Sequence, residues 1–269
     1  MTTDLSSLDQ ASDSLFINRI TLRGPEMAVL HAYVSQHSGA TRKDLLERFV
    51  PMKTNDARAS EDVVRYAIDA LVTLGLLCAQ GTGPSTAYSV RGGDDAFPNL
   101  LIKAIRKLPD RQDAMSRLYE HCARTDQLNW TLNELLDMAR KEVALEAQWT
   151  SQKMDFWRSM MSYCGLVITT KTGFLLAPLP DRLLDWLRGV VPIGGGWAYD
   201  AFTNIAGTIA PCFCASGNLH QGWAQSLDFL DQRGLVSLET GSDAPSRLRA
   251  STARGREWTR ISVATGVRE

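Results

Sequence analysis

The chain has 269 residues and a mass of 29.7 kDa, with 44% hydrophobic and 22% charged residues. Lysine plus arginine number 29 against 30 aspartate plus glutamate, for a net charge of −1. These proportions exclude wholesale disorder, and the neutral balance excludes a polybasic protein that binds through bulk charge.

Residues 1–20 carry Asp4, Asp9 and Asp13 and lack a basic start followed by an apolar core. They read as an arm, flexible or bound to a partner, and not as a secretory signal. Apolar positions at helical spacing then predict a helix over Pro25–His37, broken at Gly39 and Ala40. Thr41 with Asp44 offers a capping-box start to a second helix through LLERF. A third predicted helix, Ser60–Leu74, runs into Gly75, Leu76 and Leu77, the loop GTGPST and the strand AYSV. Arg91–Asp95 is a linker, and a short helix over Pro98–Leu108 stops at Pro109.

The same order then recurs. Asp113–Ala123 reads as a helix, and Thr131 with Glu134 caps the next one, NELLDMARKE. Trp149–Cys164 leads to Gly165, Leu166 and Val167, a turn at KTG and the strand FLL. Pro178–Leu187 reads as a connecting helix, and Val191–Trp197 as a hinge. In the third copy Ala198–Ala210 is the first helix, and a second is hard to see in PCFCASGN. His220–Arg233 precedes Gly234, Leu235 and Val236, the loop TGSDAPS and RLRA. Glycine just past a helix supplies a left-handed cap, and aliphatic residues then begin a strand. Leu71, Met161 and Leu230, four residues before each glycine, should face the core with Ile68, Trp157 and Leu227.

Helix, helix, helix, strand, wing, strand resembles the winged-helix superfamily. The resemblance covers Pro25–Val90, Asp110–Pro178 and Ala198–Ser251. It implies a mainly α fold with small β-hairpins (α+β), in tandem winged-helix units joined by helical linkers. The expected layout is an arm over 1–20 and a first unit over 21–92. A helical linker with the second unit follows over 93–180, then a linker with the third unit and a basic extension over 181–269.

Chemical motifs are sparse. Gly194–Gly196 lacks the Lys-Ser/Thr of a phosphate loop. Cys212, Cys214 and His220 could supply three soft ligands, but a structural zinc takes four and no fourth is local; Cys122 or His121 could approach only through the fold. No cofactor is expected. Five cysteines, with Cys78 and Cys164 completing the set, do not suggest a disulfide framework, so a reducing cytoplasmic setting is expected. No apolar run of about 18 residues exists to span a membrane. His31, His37, His121 and His220 are expected at the surface, outside any catalytic signature, and the protein is expected not to be an enzyme.

Basic residues gather in two places. Arg247, Arg249, Arg254, Arg256 and Arg260 surround the third wing with Glu257 alone opposing, and Arg247 and Arg249 should share one strand face. Lys103, Arg106 and Lys107 should share a helix face, with Arg111 beyond. The helix before Gly75 instead carries Asp56, Glu61, Asp62 and Asp69 against Arg58 and Arg65, which suits a phosphate-lined groove poorly. The pattern resembles tandem winged-helix accessory subunits of bacterial chromosome-maintenance or phage-defence complexes. That resemblance implies a non-catalytic subunit that contacts other proteins and holds the backbone of double-stranded DNA without reading bases. The alternative is a homodimeric winged-helix transcriptional regulator.

Overall fold

The computed structural model describes residues 16–50, 57–91, 95–109, 113–143, 147–241, 246–251 and 255–264. Helices in chain order are α1 (Gly24–Gln36), α2 (Arg42–Phe49), α3 (Ala57–Thr73), α4 (Phe97–Ile105) and α5 (Ala114–Arg124). They continue as α6 (Leu132–Glu142), α7 (Ser151–Tyr163), α8 (Pro180–Val190), α9 (Ala198–Thr208) and α10 (Gln221–Gln232). Between them lie the short strands β1 (Ala40–Thr41), β2 (Leu77–Gln80), β3 (Ala87–Val90), β4 (Asn129–Thr131), β5 (Ile168–Thr169) and β6 (Gly173–Leu175). The last strands are β7 (Gly196–Trp197), β8 (Val236–Glu239), β9 (Leu248–Arg249), β10 (Glu257–Trp258) and β11 (Arg260–Val263). The fold is mainly α with small antiparallel sheets.

Three of the sheets share one strand order. In β1-β3-β2, β4-β6-β5 and β7-β11-β8, the strand that enters first pairs with the one that enters last, and the last is central. Each sheet therefore closes only after the chain has passed through its helices and returned. A fourth, two-stranded ribbon joins β9 to β10.

Local chemistry explains the helix boundaries. Thr41 and Asp44, and again Thr131 and Glu134, form reciprocal capping boxes, each pair satisfying two orphan N–H groups at a helix start. The helices before the three junctions end on glycines with φ of +69° at Gly75, +78° at Gly165 and +68° at Gly234. At Gly75 and Gly234 the next N–H reaches back five residues, Leu76 to Leu71 at 2.9 Å and Leu235 to Leu230 at 3.0 Å. A residue with a side chain would meet its own carbonyl in that conformation. Leu71, Met161, Leu230, Ile68, Trp157 and Leu227 are all fully buried, as their spacing predicts.

By contact the chain groups into two units, Met1–Met115 with Ala144–Cys164, and Ser116–Val143 with Gly165–Glu269. In the first unit Met27, Leu30 and Val34 of α1 are buried, as are Ala67, Ile68 and Leu71 of α3, which packs on it. Phe16 meets Phe156 of α7 with ring centroids 5.7 Å apart, and the Trp157 indole donates to the Met115 carbonyl at 3.0 Å. In the second unit α8 packs against both α9 and α10. Leu183, Leu187, Phe202 and Trp223 are buried there, with the Trp186 and Trp223 rings 5.7 Å apart. The helix read as a connector from sequence is thus a packing partner of the third sheet's helices. PCFCASGN forms no helix; Phe213 and Leu219 bridge across it, and Leu219 bridges to Ala250. Among the described residues no helix is long and apolar enough to cross a membrane.

Candidate nucleic-acid interface

The ribbon β9–β10 presents the arginines. Leu248 and Trp258, opposite one another in register, are buried on its inner side. Alternation puts Arg249 and its cross-strand partner Glu257 on the outer side, with Arg247 two residues back on the same face. Glu257 holds both: Oε2 accepts from Arg247 Nη1 at 3.1 Å, and Oε1 from Arg249 Nε at 2.6 Å. The expected shared face is present, with a carboxylate set between its two guanidinium groups.

Arg256 turns toward α10 and donates to Asp228 Oδ1 at 2.8 Å. Asp228 lies 28 residues away in sequence, so this pairing was invisible to local charge counting. Arg260 sits in β11 opposite Glu239, and its guanidinium lies over the Trp197 ring at 5.4 Å. Arg254 lies outside the described residues. Across the described part of the cluster, four arginines meet two direct carboxylate partners, so its positive field is about half what the bare arginine count implies.

The second basic cluster is looser than the sequence suggests. Helix α4 ends at Ile105, so Arg106 is its C-cap and Lys107 lies past it. Lys103 Nζ pairs with Asp95 Oδ2 at 2.6 Å, Lys107 is exposed, and Arg111 lies outside the described residues. On α3, Asp62, Arg65, Tyr66 and Asp69 are exposed; Arg65 pairs with Glu61, and Asp69 receives Arg42 at 3.4 Å. That surface is acidic with one exposed aromatic ring.

Cys212, Cys214 and His220 are buried and already hydrogen-bonded. The Cys212 thiol donates to the Phe202 carbonyl at 3.5 Å and the Cys214 thiol to the Asn218 carbonyl at 3.0 Å. His220 caps α10: Nδ1 accepts the Gly222 N–H at 3.1 Å, so the proton sits on Nε2, which donates to the Gln127 carbonyl at 3.3 Å. Burial pushes the His220 pKa down, partly offset by the charge of Asp126, and burial raises the Cys122 thiol. Among the described residues no three His, Cys, Asp or Glu side chains converge as metal ligands. Against the surface position expected for the histidines, His31 and His220 are buried, whereas His37 is exposed. The cap could have been suspected from a histidine directly before a helical run.

No family model matches the chain, and neither a curated protein nor a solved structure matches it.

Proposed function

We propose that the protein is a non-catalytic, tandem winged-helix subunit of a larger bacterial DNA-handling assembly, in antiviral defence or chromosome maintenance. The observation that supports this most is the strand order first–third–second, repeated in three sheets, with two helices between the first and second strand of each. That is the order a winged helix requires, and three copies in one chain favour an adaptor over a single-site reader. The exposed acidic face of α3 suits a protein partner better than a phosphate-lined groove. DNA contact is assigned to the β9–β10 ribbon, through Arg247, Arg249 and Arg256, as backbone contact without base reading.

Purification from the native host tests the reading, with a stable stoichiometric partner as the expected result; a lone homodimer would favour the operator-binding regulator instead. In a salt titration, duplexes of different sequence should bind alike, and Arg247→Glu with Arg249→Glu and Arg256→Glu should abolish that binding. Unchanged affinity in the triple variant would remove the ribbon from the DNA assignment.

A further inference from the structure

We propose that Arg247 and Arg249 form a two-guanidinium clamp for one backbone phosphate of double-stranded DNA, and that Glu257 occupies this clamp as a built-in competitor. The inference rests on the DNA-contacting role of the ribbon proposed above. Each Glu257 oxygen takes one arginine, Oε2 from Arg247 at 3.1 Å and Oε1 from Arg249 at 2.6 Å. A phosphodiester presents two non-bridging anionic oxygens, so it can replace a carboxylate between guanidinium groups without rearranging them.

The support beneath the clamp does not depend on the glutamate side chain. Leu248 and Trp258 anchor the ribbon from its buried side, and the Glu257 main-chain carbonyl accepts the Thr240 hydroxyl at 3.1 Å. Accessibility favours exchange. The Arg247 and Arg249 side chains are 44% and 62% exposed, against 24% for Glu257. An incoming phosphate therefore meets the guanidinium groups before the carboxylate. Exposed ion pairs are weak and screened by salt, whereas a phosphate contact also releases condensed counterions. Glu257 sets a threshold: it blocks casual anion binding at low local phosphate density and yields where an assembly presses the ribbon onto a duplex.

The test is fluorescence polarisation with a short labelled duplex of scrambled sequence, run on the full chain across a range of salt. Glu257→Gln should bind roughly 3- to 10-fold tighter at low salt, with a plot of log affinity against log salt steeper by about one. Adding Arg247→Ala and Arg249→Ala to Glu257→Gln should remove the whole gain. Glu257→Thr, which keeps strand preference, provides a second version, and a thermal melt of each variant verifies folding. If Glu257→Gln binds no tighter than the native chain while Arg247→Ala with Arg249→Ala weakens binding, Glu257 positions the arginines and the competitor is overturned, with the DNA reading intact. If neither the native chain nor Glu257→Gln binds duplex, both are overturned.

Discussion

Asp126 Oδ1 accepts the main-chain N–H of Gln221 at 3.1 Å, joining residues 95 apart in sequence at the first turn of α10. The same oxygen accepts the Ser251 hydroxyl, and the Asp126 carbonyl accepts the Gln221 amide. A carboxylate at a helix N-terminus also faces the positive end of the helix dipole. Asp126 adopts φ +60°, a conformation that Asp, Asn and Gly tolerate best. Asp126→Ala should destabilise the protein by about 1–3 kcal/mol, through the lost acceptor and the strained backbone together. Asp126→Asn, which keeps an acceptor and the backbone preference, should cost less. Urea denaturation midpoints measure both; equal losses would show that charge, not geometry, carries the contribution.

His220 gives the second unit a pH dependence. Its folded-state pKa lies below the unfolded value of 6.5, chiefly because burial disfavours the charged ring. His31, buried beside Phe97 in the other unit, is lowered for the same reason. A depressed histidine means that the unfolded chain takes up the proton first as pH falls. The stabilisation from neutral His220 is thus complete above about 6.5 and is lost as pH falls from there toward the folded value, at up to about 1.4 kcal/mol per pH unit. Protonated Nδ1 can no longer accept the Gly222 N–H, so the α10 cap opens. Denaturation midpoints should fall as the pH drops below about 6.5. His220→Asn, which retains a capping oxygen, should flatten that fall, leaving the His31 part.

Trp223 donates its indole N–H to the Tyr119 hydroxyl at 3.1 Å, with both side chains buried. Trp223→Phe leaves the hydroxyl without its donor and a small void, and should cost about 2–4 kcal/mol. Tyr119→Phe should cost about 1–2 kcal/mol by stranding the indole N–H. Measured by chemical denaturation, the double substitution should cost less than the sum, since one hydrogen bond is removed once. Strict additivity would show that the pair is not coupled.

Features legible in the sequence share one property: their cause lies within a few residues. Thr41 with Asp44 and Thr131 with Glu134 are three apart, and both form the boxes their spacing predicts. The junction glycines follow from the helices they end, and the burial of Leu71, Met161 and Leu230 follows from helical period. The arginine cluster was legible as composition but not as electrostatics. Arg247 and Arg249 are neutralised in part by Glu257 across a strand pair, and Arg256 by Asp228 of a helix. Six of the seven tryptophans are buried, and Trp197 is the one left partly open, beneath Arg260.

By itself, then, the sequence determined the helices, their caps and the threefold order of elements, because hydrogen bonds within one turn and side-chain periodicity act locally. The tertiary structure alone decided that α8 packs on α9 and α10, that His220 is buried and tied to Gln127, and that Glu257 and Asp228 pair with arginines of the basic face. The physical reason is range. A charge or a buried polar atom takes its meaning from whatever lies within about 4 Å, and those neighbours come from segments that only folding brings together. The near-neutral total charge is resolved in the same way: acid and base are not merely equal in number but interleaved on the surface where an excess of arginine was expected.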